Sequence, residues 1–276
     1  MKLAISIPIS DLIPIPGTFY ENIIRVFDKK AKLFRSSPKE TIFQSLKKVG
    51  IDSVELLICL KASDRHIAQA KELLTTFDIS VASIHQSLSN KSSITLEEIE
   101  RLCRIARSLS ASVVVLHSEA LGKSLFDLAF VGKLSLFQQI HGISFGIENM
   151  AKTPFTRDSF IYKATKFSSI VRRTESFITF DITHMGQAGD DILRFFEANK
   201  DKIINIHISD CLKSWINQYV ISQAYTHLPL GHGQLPIDSF LKLIKKEKYS
   251  GQLTLEVNSN LEQICRSVTK IRNLLF

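Results

Sequence analysis

Eight short apolar runs, rich in β-branched residues and spaced through the whole chain, constrain this sequence more than any other feature. They are Leu3–Ile9, Ser53–Leu60, Ile79–His85, Ser112–His117, Ile143–Asn149, Phe177–Asp181, Ile203–Ile208 and Leu253–Val257. Near-continuous apolar strands suit a parallel sheet buried on both faces. Amphipathic stretches lie between most of them. In Thr95–Ser110, for example, Leu96, Ile99, Leu102, Cys103 and Ala106 recur at helical spacing. Ile67–Phe77, Asp190–Asn199 and Ser239–Lys248 read the same way, and Thr95-Leu96-Glu97-Glu98 reads as a capping box opening its helix. Ser124–His141 has no clear period and stays unassigned.

Strand–helix alternation repeated eight times makes a single (β/α)8 barrel of the TIM type, one domain over residues 1–276, the economical fold. The length of 276 residues fits, since such barrels take about 250. A doubly wound sheet is the alternative, but no glycine-rich phosphate turn follows the first strand. Apolar residues at 45% and charged residues at 22% exclude a disordered or fibrous chain. No run approaches the roughly 18 uncharged apolar residues of a membrane span, so no membrane partner is expected. Pro8, Pro14 and Pro16 interrupt the apolar start, which therefore reads as a strand and loop rather than a leader. Cys59, Cys103, Cys211 and Cys265 are widely spaced, without a C-x-x-C pair, and a reducing cytoplasm is the expected location.

The net charge of +8 could favour anionic partners. Its bases, however, fall in segments that look helical: Lys29, Lys30, Lys32 and Arg35, then Lys163, Lys166, Arg172 and Arg173, then Lys242, Lys245, Lys246 and Lys248. The expectation is a set of solvated outer helix faces.

The polar residues carry the functional information by their position. Glu148, Asp181, His207 and Glu256 each end an apolar run, and in a parallel barrel all strand ends meet on one face. Burying one unpaired carboxylate is costly, and three close together repel. A divalent cation resolves both problems. Three carboxylates and one imidazole suit Mn²⁺, Mg²⁺ or Co²⁺, and Zn²⁺ also fits. His85 and His117 end the third and fourth runs and could hold a second ion, with Glu148 bridging, or contact substrate. His184, three residues after Asp181, could take either role, and His227 begins the loop feeding the last helices. Trp215, the only tryptophan, could stack on a sugar face. His66 and His141 are expected to face solvent.

At these residues the sequence resembles the xylose isomerase-like barrel superfamily, which includes sugar isomerases and epimerases, inosose dehydratase-type enzymes and the endonuclease IV family. The resemblance rests on Gly146-Ile147-Glu148-Asn149, Phe180-Asp181-Ile182-Thr183-His184, Ile206-His207-Ile208-Ser209-Asp210, His227-Leu228-Pro229-Leu230-Gly231-His232-Gly233 and Leu255-Glu256-Val257. For the epimerase branch it implies one divalent metal on Glu148, Asp181, His207 and Glu256. Glu148 and Glu256 then form the proton-transfer pair, working through an enediolate. It also implies substrate contacts from His184 and from Lys213, which stands where ketose epimerases usually carry Arg. For the nuclease branch it implies a three-zinc site on His85, His117, Glu148, Asp181, His184, His207, His227 and Glu256. The ninth position of that site should be Asp, yet Tyr225 stands there. The nuclease's His-rich first-strand loop and Asp-Arg-His run are absent as well. The expectation is therefore an isomerase or epimerase acting on a sugar, sugar phosphate or polyol-derived ketone. An abasic-site DNA endonuclease and a metal-binding barrel without catalysis are the alternatives. A homo-oligomer would be in keeping with either enzyme.

Overall fold

A computed structural model describes residues 1–15, 33–34, 37–59, 61–86, 94–150, 164–212 and 225–276. Eight parallel strands close into a barrel in sequence order. They are β1 (Lys2–Pro8), β2 (Ser53–Ile58), β3 (Ser80–Gln86), β4 (Val113–His117), β5 (Ser144–Glu148), β6 (Phe177–Asp181), β7 (Ile203–Ile208) and β8 (Gln252–Leu255). The last strand pairs with the first, Leu3 opposite Leu253, so no open sheet edge remains. All eight apolar runs are strands, within a residue or two at their ends.

Among the described residues the helices are α1 (Ile9–Leu12), α2 (Lys39–Lys48), α3 (Asp64–Thr76), α4 (Leu96–Ser108), α5 (Ser118–Leu121), α6 (Leu128–His141), α7 (Ala164–Arg173), α8 (Ile182–Gln187), α9 (Ile192–Asn199), α10 (Ile237–Lys246) and α11 (Leu261–Leu275). The capping box expected at Thr95 is formed: Thr95 N–H donates to Glu98 Oε2 at 2.8 Å and Glu98 N–H to Thr95 Oγ1 at 3.2 Å. A second box opens α3, where Ser63 and His66 cap each other. His66 is therefore half-buried and engaged rather than merely facing solvent, and His141 is likewise half-buried. The unassigned stretch folds as a short 3-10 turn, Gly122–Phe126, followed by α6. Leu128, Leu136 and Ile140 are exposed on α6 while Leu134 is buried. Apolar residues thus surround this helix, which erases the one-sided pattern that a sequence period requires. Among the basic groups, Lys166, Arg172, Arg173, Lys242, Lys245, Lys246 and Lys248 are exposed, as expected of outer helix faces. Lys29, Lys30, Lys32, Arg35 and Lys163 lie outside the described residues. Among the described residues no helix is long and apolar enough to cross a membrane.

Two layers of core result. Residues on one strand face, such as Ile5, Leu56, Ile84, Leu116, Ile147, Phe180, Ile206 and Leu255, are fully buried in the main apolar cluster. Alternate positions carry polar side chains that bond across the barrel. Asn205 of β7 reaches Glu55 of β2, and Gln252 of β8 reaches Ser83 of β3. Only side chains pointing into the barrel can do this. Two register shifts set the phase of this interior layer. Between β2 and β3 the pairing passes from Val54↔Val81 to Glu55↔Ser83. Between β6 and β7 it passes from Ile178↔Ile203 to Thr179↔Asn205.

Gly146 belongs to the interior layer, two residues before Glu148. A Cβ placed there would lie 2.2 Å from Thr179 Oγ1, and the hydroxyl is itself buried without a hydrogen-bond partner. Gly146→Ala should therefore destabilise the fold by about 1–3 kcal/mol through overpacking. Adding Thr179→Ala, which removes the obstructing oxygen, should restore part of that loss. Denaturant unfolding of the two single variants and the double variant checks this, and simple additivity would refute it.

Candidate metal centre

The barrel register delivers the strand-end groups to one place. His117 pairs with Glu148 across β4 and β5, and Asp181 pairs with His207 across β6 and β7. Glu256 follows β8 directly, its N–H bonded to the Ile208 carbonyl at 3.0 Å. Glu148, Asp181, His207 and Glu256 each offer a donor atom, and these atoms lie within 4.8 Å of one another. His207 Nδ1 is the hub: 3.2 Å from Glu148 Oε1, 2.9 Å from Glu256 Oε2 and 4.0 Å from Asp181 Oδ2. Two further groups share members with this one. His85 and His117 gather on Glu148, while His184 and His227 gather on Asp181.

Whether these residues fit a cation can be read from what they leave undone. Asp181 Oδ2 is buried and lacks a hydrogen-bond partner, and buried Glu256 Oε2 makes no well-directed hydrogen bond although His207 Nδ1 lies 2.9 Å away. Asp181 Oδ1 is used to cap α8, accepting from the His184 N–H at 2.7 Å, which turns Oδ2 towards the cluster. Orphaned carboxylate oxygens facing one another are what a divalent ion satisfies. The donor set fits such an ion.

Charge distribution follows the same geometry. Burial would raise the Glu148 carboxyl, but His207 and His85 hold it well below the usual range. Burial also opposes charge on His207, yet Glu55, Glu256 and Glu148 together raise it well above an ordinary imidazole. Burial raises Asp181, with His184 and His227 opposing. His117 goes the other way: burial lowers it to about 4, which leaves a neutral ring able to coordinate or to accept a hydrogen bond. His85 and His184 are raised, because neighbouring carboxylates outweigh burial.

Supporting residues hold the donors. The Asn149 side chain clamps the backbone of Asp181 twice, donating to its carbonyl at 2.9 Å and accepting from its N–H at 2.8 Å. The Asn149 carbonyl also engages His184 Nδ1 at 2.9 Å. His227 sits in the left-handed region at φ 51°, with Nδ1 3.2 Å from the Glu256 carbonyl. A non-glycine residue held there beside the donors is local strain of the kind that gathers at functional sites. Asp210 fixes the following loop by accepting from the N–H groups of Cys211, Gly231, Gly233 and Leu235.

The structure therefore brings together Glu148, Asp181, His207, Glu256, His85, His117, His184 and His227. Lys213 and Trp215 lie outside the described residues. Sequence reasoning missed Glu55, fully buried on β2, which meets His207 Nε2 at 3.0 Å and His85 Nδ1 at 3.6 Å. It quoted Asn149 within a motif without giving it a role. The signal for Glu55 was a lone carboxylate inside an apolar strand, in phase with the interior layer.

A family model described as xylose isomerase-like TIM barrel matches residues 43–274. The chain belongs to that family. An uncharacterized protein of Mycobacterium leprae is 22% identical over 261 residues, covering 86% of this chain and 89% of its own. Among solved structures, a D-tagatose 3-epimerase-like protein superposes with a TM-score of 0.64 at 20% identity, covering 100% of this chain and 96% of its own. An AP endonuclease, family 2, from Brucella melitensis superposes with a TM-score of 0.64 at 12% identity, covering 94% and 93%. At these identities the likeness is one of fold.

Two outcomes are expected. Asp181→Ala and His207→Ala should lower bound metal in elemental analysis and reduce the rise in melting temperature produced by added Mn²⁺ or Zn²⁺, because an ion binding only the native state stabilises it by mass action. Metal binding must also displace the proton that its carboxylate neighbours hold on His207. The metal-induced rise in melting temperature should therefore grow with pH below that raised pKa. A pH-independent shift would show that His207 does not bind the ion.

Proposed function

We propose that the protein is a divalent-metal-dependent isomerase or epimerase acting on a small sugar, sugar phosphate or polyol-derived ketone. The observation that carries this reading is the pair of carboxylates in the four-donor group. Glu148 comes from β5 and Glu256 from the end of β8, so they approach the centre from non-adjacent strands. Their environments differ: the Glu148 side chain is 2% exposed and that of Glu256 is 22% exposed. When bound, the ion supplies Lewis acidity to a carbonyl oxygen and its neighbouring hydroxyl.

The remaining work falls to side chains of this chain. Glu256, partly open, is available to take a proton from the carbon beside the carbonyl. Glu148, kept ionised by His207 and His85, is available as the second base on another side. Two bases on different faces give epimerisation, whereas one base returning the proton to the adjacent carbon gives aldose–ketose exchange. His184 engages the Asn149 carbonyl through Nδ1, which leaves its other ring nitrogen for a substrate oxygen. Lys213 and Trp215 belong to this proposal as substrate contacts. The fold likeness to a D-tagatose 3-epimerase-like protein supports it.

A second reading, an abasic-site endonuclease using several zinc ions, is favoured by the groups His85–His117–Glu148 and Asp181–His184–His227. It ranks lower because the ninth donor that the nuclease site needs is missing. In the resemblance to the nuclease, the residue two before His227 should be a carboxylate, whereas this chain has Tyr225, which is 38% exposed.

Turnover of ketoses, their phosphates and inososes in D₂O, followed by NMR, should show deuterium entering at the carbon next to the carbonyl of the true substrate. Glu148→Gln and Glu256→Gln should each lower activity by at least about 10²–10⁴-fold. Full activity in either variant would sink the two-base reading. Cleavage of an abasic-site duplex near the ordinary enzyme scale of about 1–10³ per second, abolished by Glu148→Gln, would replace it with the nuclease.

A further inference from the structure

Glu55 is a buried carboxylate that the proposed chemistry leaves unused. It lies inside the barrel below the strand ends, 0% exposed. Its Oε2 accepts from Ser83 Oγ at 2.7 Å and Asn205 Nδ2 at 2.9 Å, and His207 Nε2 stands 3.2 Å away. The donors behind it form a directed chain. Gln252 Nε2 donates to Ser83 Oγ and to Thr254 Oγ1, both at 2.7 Å. Each hydroxyl must then pass its own hydrogen onward, Ser83 to Glu55 and Thr254 to Asn205 Oδ1 at 2.9 Å. That acceptance fixes the Asn205 amide with its NH₂ towards Glu55. Asn205 Nδ2 and His207 Nε2, 3.1 Å apart, converge on the same carboxylate oxygen. Every arrow ends on Glu55, which is an acceptor only, so Glu55 can bond His207 only through a hydrogen carried on the ring nitrogen that faces it.

We propose that Glu55 is a positioning residue for His207, acting through the imidazole. By accepting the Nε2–H it fixes ring orientation and the tautomer that remains once an ion displaces the second proton, so that Nδ1 then presents its lone pair to the space shared by Glu148, Asp181 and Glu256. The same carboxylate lies 3.6 Å from Nδ1 of His85, whose Nε2 meets Glu148 Oε2 at 3.1 Å. One interior group on β2 thus backs two imidazoles that face Glu148. A carboxylate behind a coordinating histidine raises its basicity as a ligand and holds its orientation. The inference rests on the metal-binding reading of the four-donor group and adds to it a residue that touches no ion.

The test is zinc affinity of the metal-free full-length protein, measured by competition with a chromophoric chelator. Glu55→Gln keeps the volume and should weaken zinc binding by about 10–100-fold, the usual loss for such a partner, and Glu55→Ala should weaken it at least as much. In a His207→Ala background, adding Glu55→Gln should change affinity by less than about twofold, because the group through which Glu55 acts is gone. An equal loss in both backgrounds would make Glu55 a general support of the barrel and overturn the proposal, as would unchanged affinity in both Glu55 variants. A measurement without substitution guards against variants that fail to fold. In ¹⁵N-histidine spectra of the zinc-loaded wild type, His207 should carry its hydrogen on Nε2 and zinc on Nδ1, and the opposite tautomer would refute the inference. Equal zinc affinity in wild type and His207→Ala would instead bring down the metal-binding reading itself. That result is distinct from a failure confined to Glu55.

Discussion

Four ionisable groups that would repel or strand one another in an apolar interior, His207 among them, have donor atoms within 4.8 Å of one another, and the rest of the molecule is arranged to tolerate this. Burial alone disfavours charge on all of them. The imidazole of His207 is raised because it faces Glu55, Glu256 and Glu148, and those carboxylates are lowered because they face it. Asp181 is left out of this exchange and keeps one oxygen without a partner. Removing any one partner would leave a buried charge uncompensated, which costs more than the interaction itself contributes. A cation held by these donors would complete the balance that the side chains leave unfinished.

The barrel is what makes such a concentration feasible. Apolar side chains on the outward strand face lock the sheet to its helices. Alternate inward positions are then free to be polar, provided that each finds a partner. Gln252, Ser83, Thr254, Asn205 and Glu55 do so through bonds between strands distant in sequence. This cross-bonded interior supports the layer above it, where Asp181 Oδ2 is left without a hydrogen-bond partner.

Much of this was legible in the sequence, and the gaps have physical causes. Strands were readable because buried parallel strands are written as continuous apolar runs, and Glu148, Asp181, His207 and Glu256 stood out by ending them. Glu55 escaped because attention to strand ends overlooks a carboxylate in mid-strand, although its phase with the interior layer marked it. Asn149 escaped because its role is a backbone clamp between neighbouring strands, a relation that no local pattern encodes. Helix α6 escaped because its apolar residues run all the way round. His66 was read as a surface residue, since a histidine at the third position of a capping box is an unusual partner for serine.

The two register shifts described for the sheet bear on how a chain of this family can change over time. At each shift one residue of the neighbouring strand, Ala82 or Ile204, is skipped, so that Glu55 meets Ser83 and Asp181 meets His207. Side chains alternate along a strand with a period of two, so losing or gaining a single residue there would turn every following position inside out. Exchange of one amino acid for another disturbs only its own neighbours. Substitutions are therefore compatible with keeping the centre, whereas an insertion or deletion is compatible with it only in the loops. The spacing of the strand residues is a stricter inheritance than most of the letters that occupy it.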